Sequence, residues 1–189
     1  MTMMVTGHRQ IVPEGWTGNP WPSINNPLII THHNLVYHEI YQHVRTYALH
    51  QVNVGVNPTF ISGMALGADQ LFASAVINLD TENIPRVLIA AVPFAGQESK
   101  WPASSKEVYN YLISRCNQIE YVCEPGYAPW KMQTRNCWMV DRSLHVLAVW
   151  NGAKSGGTWN CLGYAASQNR IIDQLNPARP EDHIKRING

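Results

Sequence analysis

The amino-acid sequence predicts an α/β fold: a Rossmann-like three-layer sandwich, with a mostly parallel central sheet and helices on both faces. Three observations carry this. Short apolar runs alternate with segments of helical period, the pattern of parallel strands joined by right-handed crossovers. Two of the runs, 86–92 and 144–150, are apolar almost throughout, as a strand covered on both faces must be. Glycine turns follow several of the runs, at Gly7, at Gly63 and Gly67, and at Gly156 and Gly157.

Each element follows in order. Residues 3–6, Met-Met-Val-Thr, form a first strand that breaks at Gly7. Residues 11–31 are an irregular insertion. Its Pro13, Pro20, Pro22 and Pro27 remove backbone donors and punctuate helix and strand alike. Thr31 can cap a helix over about 32–50, whose Val36, Ile40, Val44 and Tyr47 share one face. Residues 59–62 are a second strand, stopped at Gly63. A helix over 69–79 carries Leu71, Phe72, Ala75, Val76 and Leu79. The third strand, 86–92, ends at Pro93. A helix over about 102–115 has Val108, Tyr111, Leu112 and Arg115 in period. Then come a strand at 118–122, a loop of Pro, Gly and aromatic residues at 124–130, and a helix at 131–143. The fifth strand, 144–150, leads into a glycine loop at 151–157. A helix over 158–169 and a strand near 170–172 complete the domain, which spans 1–176. The tail, 177–189, is polar and is expected to be loosely held.

At 189 residues the chain is long enough for one domain with its own core, without a disulfide or metal staple. Charged residues make up 14%, about half the usual share, and the net charge is +1. That balance argues against a protein held to its partner by a broad cationic face, so nucleic acid is a disfavoured partner. The N-terminus shows no secretory signal, and no run approaches the length of a membrane span. The four cysteines, Cys116, Cys123, Cys137 and Cys161, make no C-x-x-C pair and are expected as free thiols in a cytoplasmic protein. Five histidines crowd residues 32–50, but no two of the chain's eight are three or four apart. No metal site is therefore predicted. A surface with so few charges and 7 Trp suits a homodimer.

Ligands of such sheets bind beyond the carboxyl ends of the strands, near the point where strand order reverses. The glycine turns fall at those ends, and two lead straight into helices. Helix N-termini carry unpaired N–H groups and partial positive charge, so the turns suit a phosphate-bearing, nucleotide-like ligand. Neither common loop is present. There is no G-x-x-x-x-G-K-[ST], and no G-x-G-x-x-G follows the first strand.

Five ordered blocks then carry a resemblance. They are Val5-Thr6-Gly7-His8-Arg9, the stretch 61–69 (Ile-Ser-Gly-Met-Ala-Leu-Gly-Ala-Asp), and Pro93-Phe94 with Gln97, Lys100, Trp101 and Pro102. The last two are Met132-Gln133 with Arg135-Asn136 and Met139-Val140-Asp141, and Gly156-Gly157-Thr158 with Asn160-Cys161 and Tyr164-Ala165. Through them the chain resembles the YpsA-like branch of the SLOG superfamily, which also holds DprA and the LOG phosphoribohydrolases. The resemblance covers roughly residues 4–172 outside the proline-rich stretch. It implies a Rossmann-like fold, nucleotide or nucleotide-derived ligands and, often, dimers. No further cofactor is implied. The LOG signature P-G-G-x-G-T-x-x-E, with its catalytic glutamate, is absent here.

Ligand contacts are expected from Gly7, His8, Arg9, Gly63, Met64, Ala65, Gly67, Asp69, Pro93, Phe94, Trp101, Arg135, Asn136, Gly156, Gly157 and Thr158. Arg9 and Arg135 could neutralise phosphate or form structural ion pairs. Asp69 could cap its helix or accept from a ribose hydroxyl. Phe94 and Trp101 could stack on a base or pack in the core. Asp141 and Glu98 are the acids left for catalysis, although Asp141 is better suited to pairing with Arg9 or Arg135. Cys161 reads as packing. Three functions follow. The first is a binding protein for a nucleotide or signalling nucleotide, acting as sensor or sequestering protein. The second is a nucleotide-cleaving hydrolase, and the third a DprA-like single-stranded DNA binder. The first fits a neutral chain whose few charges, among them Arg9, Arg135 and Lys154, gather at one sheet edge.

Overall fold

Strand β1 (Thr2–Gly7) sends Met3 and Val5 to one face and Met4 to the other, all three buried. The two-residue period of a strand thus feeds two cores at once. The computed structural model describes residues 1–9, 11 and 35–188. The insertion's residues 12–31, and with them the proposed cap Thr31, lie outside the described residues.

After β1 the chain runs through α1 (Leu35–Asn53), β2 (Thr59–Ser62), α2 (Ala68–Asn78), β3 (Val87–Val92), α3 (Ala103–Ser114) and β4 (Gln118–Tyr121). It continues with α4 (Pro129–Asp141), β5 (His145–Val149), α5 (Gly156–Ser167), β6 (Ile171–Leu175) and β7 (Lys185–Asn188). One seven-stranded sheet results, in the order β4-β3-β2-β1-β5-β6-β7. All neighbours are parallel except β6 and β7. The chain builds outward from β1 to β4, then returns to lay β5 against the free side of β1. That return is the reversal of strand order.

Helices α1, α2 and α3 cover one face, packing Val36, Ile40, Val44, Leu71, Phe72 and Leu112 against Val5, Phe60 and Leu88. Helices α4 and α5 cover the other, packing Met139, Val140, Cys161 and Leu162 against Met4, Ile61 and Val146. Helix α2 is buried along its whole length, which explains its run of Ala, Leu, Phe and Val. The α/β sandwich with helices on both faces is the architecture expected.

The differences from expectation lie at element ends. Helix α4 begins at Pro129, inside the stretch read as loop, because proline is well suited to the first helical position. Helix α5 begins at Gly156, so both glycines belong to its first turn rather than to a preceding loop. The sixth strand runs on to Leu175. The residues after Pro177, read as a loose polar tail, instead add the antiparallel edge strand β7. Their polar pattern hides the reason. Arg186 Nε donates to Oδ1 of Asp173 at 2.9 Å, and the Asn188 side chain accepts from the Ile172 amide in β6 and donates to the Arg170 carbonyl just before it.

Candidate functional site

Where strand order reverses, the carboxyl end of β1 opens into a cleft of about 340 Å³. Val5, Thr6, Gly7, His8 and Arg9 form its floor and one wall. The turn after β2 contributes Ala65 and Asp69, α4 contributes Met132, Arg135 and Asn136, and the first turn of α5 contributes Gly157 and Thr158. Residues far apart in the chain converge because each follows or faces the end of a central strand.

At the inner end, Arg135 Nη1 donates to Oδ2 of Asp69 at 3.0 Å. Both side chains are under a tenth exposed. Asp69 Oδ2 also accepts from the Ala65 amide at 3.3 Å. Burial pushes the Asp69 carboxyl up, while the adjacent guanidinium and the Ala65 amide oppose that shift. Arg135 Nε has no hydrogen-bond partner among the described residues.

The turn is built to hold this pair. Ser62 Oγ donates to the Asp69 carbonyl at 2.7 Å and accepts from the Met64 amide at 3.2 Å. Met64 adopts the left-handed region, with φ 55°, and is fully buried. Gly63 gives the guanidinium its room, since a Cβ there would meet Arg135 Nη1 at 1.0 Å. Gly67 has φ 88°, and a Cβ on it would lie 2.4 Å from the His8 carbonyl oxygen. That carbonyl accepts from the Ala68 amide at 3.1 Å, which ties the start of α2 to the end of β1.

The outer end is open. Helix α5 has no side-chain cap, so its first-turn N–H groups meet the cleft uncovered. Arg9 is exposed and has no acidic partner in ion-pair range among the described residues. His8 Nε2 lies 2.8 Å from Asn151 Oδ1 and 3.2 Å from the Asn151 amide nitrogen, fastening the β5–α5 loop to β1.

Of the residues expected to touch ligand, Gly7, His8, Arg9, Ala65, Asp69, Arg135, Asn136, Gly157 and Thr158 line this cleft. Gly63, Met64, Gly67, Pro93, Phe94, Trp101 and Gly156 do not. Phe94 packs edge-on against Tyr127, and Trp101 against Tyr109, which places both rings in packing contacts beyond the cleft. Near Phe94, Lys131 is buried, its Nζ donating to the carbonyls of Glu124, Pro125 and Gly126. Neither acid held for catalysis lines the cleft. Asp141 accepts from the Tyr164 hydroxyl at 2.8 Å and pairs with neither Arg9 nor Arg135. Glu98 lies in the loop after β3. Cys161 is fully buried, as a packing residue is, and burial pushes its thiol up to about 11. Val5, Thr6 and Met132 are lining residues not singled out from the sequence. Val5 and Thr6 were legible as neighbours of Gly7, and Met132 as one helical turn from Arg135 and Asn136.

The sequence model of the YspA SLOG family matches residues 30–172. The chain belongs to this SLOG family. The SPbeta prophage-derived protein YoqJ of Bacillus subtilis (strain 168), described as uncharacterized, is 38% identical over 117 residues, covering 56% of this SLOG chain and 68% of that protein. A UPF0398 protein of Bacillus cereus (strain B4264) is 27% identical over 106 residues, covering 56% of the chain and 57% of the relative. DNA processing protein A (DprA) of Streptococcus pneumoniae shares the fold, with a TM-score of 0.59 and 14% identity; the match covers 93% of this chain and 50% of that one. DprA of Helicobacter pylori, whose structure concerns its binding of single-stranded DNA, matches with a TM-score of 0.51 at 14% identity, over 93% of this chain and 65% of that one. This SLOG chain thus spans about half the length of the pneumococcal protein. Among its described residues, no helix is long and apolar enough to cross a membrane.

Proposed function

We propose that the cleft binds a nucleotide or nucleotide-derived ligand, and that the protein acts as a sensor or sequestering protein for it. The observation that carries this reading is the uncapped first turn of α5, at Gly157 and Thr158, sharing one cleft with the guanidinium of Arg9, which has no acidic partner among the described residues. Uncovered N–H groups, the helix dipole and an exposed guanidinium together suit an anion. A volume of about 340 Å³ is enough for a small ligand and too little for a long polymer segment. Asp69 is the only acid lining the cleft among the described residues, and it is engaged with Arg135. The other candidate, the His8 imidazole, is tied to Asn151 through Nε2, so binding is better supported than hydrolysis, which needs a carboxyl or imidazole placed to move a proton.

Thermal-shift measurement against a panel of nucleotides, with chromatography of each mixture, tests this. Stabilisation by at least one nucleotide with no new product is the expected result. A new product assigns hydrolysis instead. The likeness to Helicobacter pylori DprA favours single-stranded DNA as the second reading. It would show as oligonucleotide affinity that falls steeply with salt, while mononucleotides give no shift.

A further inference from the structure

Two Asn-Gly pairs occur in the chain, Asn151-Gly152 and Asn188-Gly189, and the fold treats their asparagines in opposite ways. An asparagine before glycine is chemically exposed, because no side chain shields the backbone nitrogen that can attack its amide carbon, Cγ. Whether the attack happens depends on what holds the amide and whether the nitrogen can reach it.

Asn188 is tied at both ends. It lies in the extended strand β7, where Oδ1 accepts from the Ile172 amide at 2.6 Å and Nδ2 donates to the Arg170 carbonyl at 2.7 Å. The nitrogen that would have to leave is thus fastened to the neighbouring strand.

Asn151 stands in the exposed loop between β5 and α5. Its Oδ1 accepts from the Ala153 amide, two residues on, at 3.1 Å. This Asx turn folds the side chain over Gly152. A second donor converges on the same oxygen from the end of β1: His8 Nε2 lies 2.8 Å away. The Ala153 amide can only donate, so the atom between them is the side-chain oxygen, and His8 meets it as an N–H. Two donors on one amide oxygen stabilise the negative charge it gathers when Cγ is attacked. Neither Asn151 Nδ2 nor the Gly152 amide has a hydrogen-bond partner among the described residues. A Cβ at Gly152 would meet nothing within 4 Å, so the site is open to water.

We propose that Asn151 is a self-modification site, where the chain converts its own asparagine to aspartate and isoaspartate with help from His8. The Gly152 nitrogen attacks Cγ, forming a C–N bond. The Cγ–Nδ2 bond breaks, and Nδ2 leaves as ammonia with the proton that the Gly152 nitrogen gives up. Water then opens the cyclic imide. Cleavage of the new bond gives aspartate, and cleavage of the old peptide bond gives isoaspartate. Either product sets a carboxylate where a neutral amide met His8, a residue lining the cleft, and takes the net charge from +1 to zero. Isoaspartate also lengthens the backbone of the loop that leads into α5. None of this depends on the nucleotide reading.

Incubation of the full chain at neutral pH tests the proposal, with ion exchange to separate the charge forms and peptide mass spectrometry to place them. In the folded protein, Asn151 should be modified well before Asn188, and in urea the two should react at similar rates. His8→Ala should slow the reaction at Asn151 about tenfold in the folded protein, the loss of one good hydrogen bond to the developing charge. The same variant should leave the rate in urea unchanged, which separates help from His8 from any effect of sequence. Asn151 as durable as Asn188 in the folded chain overturns the proposal. So does a folded His8→Ala chain that modifies Asn151 as fast as wild type, or faster.

Discussion

The guanidinium of Arg135 occupies the space in which a side chain at Gly63 would lie: a Cβ there would meet Nη1 at 1.0 Å. The glycine that reads as part of a phosphate turn is therefore a seat for a buried ion pair. Replacing it removes both the seat and the pair. Gly63→Ala should destabilise the protein by about 3 kcal/mol, combining overpacking with a displaced buried charge. Urea denaturation measures this, and a midpoint equal to wild type would contradict it.

Gly157 is the opposite kind of glycine. It is exposed, and a Cβ there meets nothing within 4 Å. Aspartate in the first turn of a helix is favourable by about 0.3–1 kcal/mol. Gly157→Asp should thus keep or slightly raise the melting temperature while abolishing stabilisation by nucleotides, because its carboxylate would occupy and repel the anion position. A variant that melts normally and still binds nucleotide would move the phosphate elsewhere.

Stability should fall with acid near neutrality. Burial holds His43 and His145 below the ordinary imidazole value, although Asp173 opposes this in both. A depressed histidine is neutral in the folded state and takes up its proton more readily when unfolded. Its contribution is therefore intact above the unfolded value of about 6.5 and is lost as the pH falls through it. Urea midpoints should drop between pH 7.5 and pH 5, and His145→Gln should flatten that slope. A midpoint that rises on acidification would refute the assignment.

The cysteines should divide by reactivity. Cys161 is fully buried and burial pushes its thiol to about 11; Cys116, half-buried, is pushed to about 12. The thiolate is the reacting form, so both should resist iodoacetamide at pH 8 in the folded protein. Cys123 and Cys137 should be alkylated first, and mass spectrometry of digests reads the order. Early modification of Cys161 would mean that α4 and α5 separate readily.

The sequence displayed the architecture clearly because strand and helix periods are local. β2 occupies 59–62 as expected, since β-branched and aromatic residues end there at a glycine. The ends of α4 and α5 were less legible, because proline and glycine break elements in general but also open helices. The strand β7 was hidden by Lys185 and Arg186, whose place in the sheet depends on Asp173 rather than on apolar alternation. The cleft was legible where one block supplied it, as at Gly7-His8-Arg9. The Asp69–Arg135 pair spans 66 positions, and no local pattern announces such a contact. Phe94 and Trp101 show the converse, since an aromatic after a strand serves a base or a core equally well in sequence.

The placement of β1 at the centre of the sheet has a kinetic meaning. Strands β1 to β4 can pair as they leave the ribosome, but the other side of β1 waits for β5, and the His8–Asn151 contact joins positions 143 residues apart. Contacts of such separation close late, after the loop entropy of the intervening chain has been overcome. The first turn of α5 emerges later still. A nascent chain therefore passes through a stage with half a sheet and a bare β1 edge, and without the first turn of α5 that lines the cleft. On the proposed reading, nucleotide could bind only after the first turn of α5 has emerged.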